Sequence, residues 1–297
     1  MKILITGANG FLGHYLSGQL LTKKHQVIAT GKGICRLPYL QDDLFSYKEM
    51  DFTDPSSVRT VLESEKPDTV VHAGAISKPD DCEQDKTYAD KVNIEGTQIL
   101  LQESQKFKCH FIFLSTDFIF DGLQGMYKEE DKGNPVNYYG VTKLKAEELV
   151  LQYPFCWCIV RTVLVYGKPL TGRGNILTVV KEKLEKGEEY SVFDDQVRTP
   201  TYVEDLAAGI VSIIEKKAGG IYHLSSTDIL TPYQMACYAA DLLKLDKTLL
   251  KKVTALTFTQ PAKRPQKTGF IIDKAKDELG FRPVSFAEGL VKTFDNS

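Results

Sequence analysis

The sequence predicts an α/β fold: a doubly wound parallel sheet with helices on both sides, followed by a smaller C-terminal α/β domain that would take the substrate. Three observations lead there. Short apolar runs alternate with longer helical patterns through the first half of the chain. The runs are apolar along their length rather than at every second residue, which suits strands buried on both faces. A glycine-rich turn joins the first run to the first helical pattern.

In order, KILITG (2–7) reads as a strand ending in glycine, FLGHYLSGQLLTK (11–23) as a helix and QVIATG (26–31) as a second strand. PSSVRTVLES (55–64) opens with Pro and Ser, as helix N-termini do. DTVVHAGA (68–75) is a third strand, 88–107 a long helix, and CHFIFLST (109–116) another strand. A loop rich in Gly, Pro and acids (121–136) precedes a helix opening at NYYGVTK, and 155–167 is the next strand. The rhythm then breaks: a loop at 168–175, a helix from Ile176, a strand, turn and helix over 190–216, the run GIYHLSS, and helices near 232–245 and 284–294. Residues 1–167 are expected to form a dinucleotide-binding domain with return segments near 199–222. Residues 168–297 would then form a discontinuous substrate domain.

A chain of 297 residues with 42% hydrophobic and 26% charged residues can bury a substantial core. Its net charge of −2 offers no general basic field for nucleic acid or an anionic membrane. The six cysteines are scattered, and Cys156-Trp-Cys158 is not a usual zinc spacing, so buried thiols in a reducing compartment are expected. The start is unlike a signal peptide and no apolar run approaches the roughly 20 residues of a membrane span, so a cytoplasmic location is expected. No metal site is expected.

The turn Thr6-Gly7-Ala8-Asn9-Gly10-Phe11-Leu12-Gly13 lies where a phosphate cradle is needed. Gly7 permits a tight turn, Gly10 a close backbone approach to a pyrophosphate, and Gly13 close helix packing. Amides opening the helix would face the anion. Gly7, Asn9, Gly10, Phe11, Leu12 and Gly13 are therefore the predicted cofactor contacts of a Rossmann-type fold. The second strand ends Ala29-Thr30-Gly31 without the carboxylate that commonly holds an NAD ribose; Lys32 and Arg36 follow instead. A cation there suits a 2′-phosphate, so NADP is expected, with NAD as the alternative.

Tyr139 and Lys143 stand one helical turn apart. Alone, that spacing is more often an ordinary solvated helix than an acid–base pair. Downstream of the glycine turn it resembles the extended short-chain dehydrogenase/reductases, and Ser115-Thr116-Asp117-Phe118-Ile119-Phe120-Asp121-Gly122 narrows the resemblance to the dTDP-4-dehydrorhamnose reductase family. That family also includes the regulatory beta subunit of methionine adenosyltransferase. Val71-His72-Ala73-Gly74-Ala75, Asp80, Glu83, Asn93, Thr199-Pro200-Thr201 and Arg264-Pro265 extend the likeness over nearly the whole chain.

The resemblance implies a catalytic triad of Thr116, Tyr139 and Lys143. Tyr139 would supply the proton, Lys143 would lower its pKa and hold the nicotinamide ribose, and Thr116 would bind the substrate oxygen. It implies further cofactor contacts at Asp51, Phe52, Ala73 and Gly74, and substrate contacts at Asp117, Asn175, Arg198 and Arg264. The implied activity is NADPH-dependent reduction of the 4-keto group of a nucleotide-activated deoxysugar, or of a related carbonyl, and a homodimer is among the states the resemblance allows. Two positions depart from the pattern. Family reductases commonly carry Tyr at Phe118 and Trp at Leu164, and both line the sugar site. A dinucleotide-binding regulatory subunit without turnover is therefore a second reading. A sugar-nucleotide epimerase or dehydratase is a third.

Overall fold

A computed structural model describes residues 1–170 and 174–295. Of the predicted loop at 168–175, residues 171–173 lie outside the described residues. The strands are β1 (Lys2–Thr6), β2 (Gln26–Gly31), β3 (Phe45–Glu49), β4 (Thr69–His72), β5 (His110–Thr116), β6 (Trp157–Thr162), β7 (Val165–Tyr166), β8 (Tyr190–Phe193), β9 (Val197–Arg198), β10 (Thr201–Tyr202), β11 (Gly220–Leu224), β12 (Leu250–Val253) and β13 (Lys267–Thr268). The helices are α1 (Phe11–Thr22), α2 (Pro55–Glu65), α3 (Pro79–Gln84), α4 (Lys86–Asp90), α5 (Gly96–Ser104), α6 (Tyr138–Leu151), α7 (Ile176–Glu185), α8 (Val203–Lys216), α9 (Pro232–Leu243) and α10 (Phe286–Phe294).

Seven parallel strands form the main sheet in the order β11-β6-β5-β4-β1-β2-β3. Successive residues of each inner strand enter opposite cores. Ile3, Ile5, Val27, Ala29, Ile112 and Val160 face the layer that holds α1 and α8. Leu4, Ile28, Val70, Phe111, Phe113 and Ile159 face α2, α5 and α6. Burial on both faces explains the uninterrupted apolar runs. From β1 the chain winds outward through β2 and β3, then returns to place β4 on the other side of β1. The carboxyl ends of β1 and β4 therefore diverge into a crevice, where sheets of this kind take ligands.

The structure revises several expected elements. β3 lies at the sheet edge and was not predicted; its FSYKE sequence is mostly half-exposed and lacks an apolar run. β12 and the short α3 were also unforeseen. The predicted strand 155–167 divides into β6 and β7, because Leu164 adopts a left-handed backbone with φ of 29°. The predicted helix 88–107 contains a π turn over Lys91–Glu95. β11 joins β6 in the main sheet, and α8 packs on α1. The remaining C-terminal elements gather around α7, α9 and the parallel pair β8–β12, beyond the carboxyl ends of the sheet.

An ion pair crosses the interior between α6 and β6. Arg161 donates to the Glu147 carboxylate from Nη2 at 2.8 Å and from Nε at 3.1 and 3.3 Å, and both side chains are at least 95% buried. Arg161 Nη1 donates to the Glu129 carbonyl at 3.1 Å. Removing one partner strands the other's charge away from water, which costs about 3–5 kcal/mol. Arg161→Met is expected to lower the unfolding free energy by about that amount, and the double variant Glu147→Met/Arg161→Met to recover most of it. Urea denaturation of the three proteins measures both; equal losses in the single and double variants would contradict the account.

Candidate active site

The crevice opens into a cleft of about 890 Å³. Its floor at the switch point is set by Gly7, whose φ of 67° favours glycine, and where a Cβ would lie only 2.8 Å from the Gly74 Cα. A buried chain of hydrogen bonds braces this approach. The Gly74 amide donates to Thr6 Oγ1 (3.2 Å), which meets His72 Nδ1 (2.7 Å). His72 Nε2 meets Thr97 Oγ1 (3.1 Å), and that hydroxyl donates to the Asn93 carbonyl (2.7 Å). With the Thr97 proton already committed, His72 must donate from Nε2 and accept from Thr6 at Nδ1. Burial, and secondarily the Lys143 charge, hold this imidazole far below its ordinary pKa, in keeping with one fixed neutral tautomer.

Asn137 caps α6 at the cleft: its Oδ1 accepts from the Gly140 amide at 2.9 Å. Gly140 packs α6 directly onto the Phe118 carbonyl, leaving no room for a side chain. Tyr139, Lys143 and Glu147 follow at one-turn intervals on a buried face of α6. Asn93, on the π turn, donates to Thr142 Oγ1 (3.0 Å) and to the Ile76 carbonyl, and so ties α6 to the loop after β4. Thr116 ends β5; its hydroxyl accepts from the Phe118 amide (3.2 Å) and donates to Asp117 Oδ1 (3.1 Å). Tyr138, the neighbouring tyrosine, turns away to hydrogen-bond Asp90 at 2.8 Å.

Burial pushes the Tyr139 hydroxyl well above its ordinary pKa, and the neighbouring Thr116 hydroxyl only partly offsets this. The expected lowering of Tyr139 by Lys143 is therefore not what the protein alone displays. Burial also brings the Lys143 ammonium down to about 7, against a smaller opposing effect of Glu147. Its Nζ sits 3.9 Å from the centre of the Phe113 ring.

Gly7, Asn9, Gly10, Phe11, Lys32, Arg36, Ala73, Gly74, Thr116, Asp117, Tyr139, Lys143, Asn175, Arg198 and Arg264 all line this cleft. Four predicted contacts do not. Leu12 points into the core, and Gly13 packs against the Ala8 backbone. Asp51 is paired with Lys32 Nζ at 2.8 Å, and Phe52 fills the space beside Gly74 and Gly96. Asn175 caps α7, and its Nδ2 donates to the Gly167 carbonyl (2.7 Å). Arg198 is spent internally. Its Nη1 and Nη2 groups donate to the Val197, Pro265 and Gln266 carbonyls and to Gln196, while Nε faces Asp117 at 3.8 Å. Asp117, also bonded to Thr268, is held above the ordinary carboxylate range by burial, with Arg198 opposing. Phe118 lies edge-on to Tyr139, with ring centres 5.9 Å apart. Sequence reasoning missed His72, Asn93 and Asn137 as builders of the site; the Asn before a helix pattern was the one available local signal.

The family model described as the RmlD substrate binding domain matches residues 1–297. The chain belongs to that family. A crystal structure of dTDP-4-dehydrorhamnose reductase from Bacillus anthracis str. Ames, in complex with NADP, superposes with a TM-score of 0.87 at 27% identity, covering 99% of this chain and 98% of that one. The spore coat polysaccharide biosynthesis protein SpsK of Bacillus subtilis (strain 168) is 31% identical over 290 residues, 97% of this chain and 95% of the relative. Methionine adenosyltransferase 2 subunit beta of Xenopus tropicalis is 29% identical over 259 residues, 85% of this chain and 75% of the relative. The chain is thus similar both to a reductase and to a subunit of a different enzyme. Among the described residues, no helix is long and apolar enough to cross a membrane.

The lysine gives a pH test. Its pKa falls on folding from 10.5 to about 7, so between those values the folded protein binds fewer protons than the unfolded chain. Stability therefore rises with pH across this window, as the penalty for burying the charge fades. Lys143→Met is expected to raise the thermal midpoint most at and below about pH 7, with the gain vanishing towards about pH 10.5. Thermal scans of both proteins across this range read the difference; a gain independent of pH would contradict the penalty.

Proposed function

We propose that the protein is an NADP(H)-dependent reductase of the 4-keto group of a nucleotide-activated deoxysugar, similar to dTDP-4-dehydrorhamnose reductase. The observation that carries the reading is the convergence of Thr116, Tyr139 and Lys143 in one cleft with the glycine turn of β1–α1. Residues 1–167, with the returning segment near 199–222, would hold the dinucleotide, and most of the remainder the substrate. The turn residues and the start of α1 would hold the pyrophosphate, Lys32 and Arg36 the 2′-phosphate, and Ala73 and Gly74 would border the nicotinamide half. When bound, the dinucleotide supplies the hydride.

The remaining chemistry falls to the protein. Tyr139 donates its phenolic proton to the carbonyl oxygen. Lys143, poised near neutrality, stabilises the phenolate left behind when it is charged. Thr116 can turn its hydroxyl from Asp117 towards the same oxygen and orient the carbonyl. Asn175 and Arg264, which also line the cleft, would meet the diphosphate of such a substrate.

NADPH fluorescence decay with dTDP-4-keto-6-deoxy-L-mannose tests the assignment. Tyr139→Phe is expected to lower kcat about a hundredfold or more while NADPH still binds; undiminished turnover in the variant would sink the mechanism. Arg36→Ala is expected to weaken NADPH about tenfold and leave NADH unaffected, as fluorescence titration would show. One observation favours a second reading, a regulatory dinucleotide-binding subunit: Phe118 and Leu164 stand where family reductases carry sugar-site aromatics, and adenosyltransferase subunits are among the relatives. NADPH binding without turnover, together with copurification of a synthetase subunit, would support it.

A further inference from the structure

The loop 254–266 between β12 and β13 runs along the substrate end of the cleft. Gln260 and Arg264, with Phe193 and Gln196 from outside the loop, line both the main cleft and a second cavity of about 600 Å³, so this strap forms part of the partition between them. Its two ends are tied to C-terminal elements: Ala255 N donates to Asp195 at 2.7 Å, and Arg198 holds the Pro265 and Gln266 carbonyls. Its middle is tied to the opposite wall. Asp80, on α3, accepts from Arg264 Nη2 at 2.7 Å and from Arg264 Nη1, and also takes the Ala262 amide at 2.9 Å. Asn137, the cap of the catalytic helix, donates to the Lys263 carbonyl at 2.8 Å.

The two arginines of this region therefore differ. Arg198 has its terminal N–H groups engaged by the protein. Arg264 gives two of its five N–H groups to Asp80 and the Ala262 carbonyl from Nη1 and one to Asp80 from Nη2, which leaves Nε–H and one Nη2–H without a partner among the described residues. Its side chain is 13% exposed, at the wall of the cleft. A guanidinium gripped through one edge by a carboxylate is fixed in its plane, so the groups on its other edges are aimed before any ligand arrives.

We infer that Asp80 is a positioning residue, which holds Arg264 and the strap across the cleft so that the remaining guanidinium N–H groups receive the diphosphate of a nucleotide-linked substrate. This rests on the nucleotide-sugar reading above. Asp80 itself touches neither substrate nor cofactor; it acts through Arg264.

The test uses the full chain with dTDP as the probe. In Asp80→Ala, amide exchange within 254–266 is expected to accelerate about tenfold, with the Ala262 amide as the direct reporter. The Kd for dTDP is expected to rise about tenfold or more, and the Kd for NADPH to stay within about twofold. The charge-swapped pair Asp80→Arg/Arg264→Asp should restore protection of the strap around residue 264, though not of the Ala262 amide, for which an arginine offers no acceptor. It should not restore dTDP binding, because the fork then lies on the wrong wall. Unchanged strap exchange in Asp80→Ala would overturn the inference, as would equal weakening of dTDP and NADPH. Failure of the wild-type protein to bind dTDP would instead defeat the nucleotide-sugar reading, and the exchange measurement alone would then decide whether Asp80 holds the strap.

Discussion

Two backbones meet where the main sheet reverses its order, and the cleft is a consequence of how closely they meet. At Gly7 no side chain fits between the ends of β1 and β4, because a Cβ there would meet the Gly74 backbone. The spacing is maintained from beneath by Thr6, His72 and Thr97, each buried and each matched donor to acceptor. Buried polar groups are costly when unmatched, so a fully assigned chain of this kind favours one geometry over its near neighbours. The amides that open α1, the loop after β4 and the end of β5 all take their positions from that geometry.

The second constraint is the buried face of α6. Tyr139, Lys143 and Glu147 lie one turn apart, and each is a group that water would normally solvate. A lysine here lowers the stability of the folded protein, yet the same burial brings its ammonium into the neutral range, where proton exchange is facile. The Arg161–Glu147 pair closes the row on the core side, and the Phe113 ring supports the ammonium from β5. Stability is given up along one helix face, where titratable groups are held at fixed spacing.

Much of this was legible in the sequence. The inner strands announce themselves as apolar runs because both of their faces are buried, and the glycine turn is recognisable because it falls between the first such run and a helix pattern. Tyr139 and Lys143 were legible as a pair from helical periodicity alone, though their chemistry came from resemblance. Other features carry no local signal. β3 is an edge strand with mixed exposure, so its sequence resembles a loop. The π turn that aims Asn93 depends on its packing against α6. Asp80 and Arg264 are 184 residues apart, and only the folded chain brings them together. Phe52, expected among the cofactor contacts, fills space left by two glycines, a fit that composition cannot reveal.

β11 supplies the last strand of the main sheet from residues 220–224, beside β6 at 157–162. Roughly 60 residues separate these neighbours, which at about 5–20 residues per second is several seconds of synthesis. Throughout that interval β6 is an open edge, with unpaired backbone groups able to template pairing with another chain. The half of the chain that carries β1 to β6 is therefore not a self-sufficient unit made before the rest. It is sealed by a segment that arrives after much of the other half has been synthesised, and the vulnerable stage in the protein's biogenesis lies between those two events.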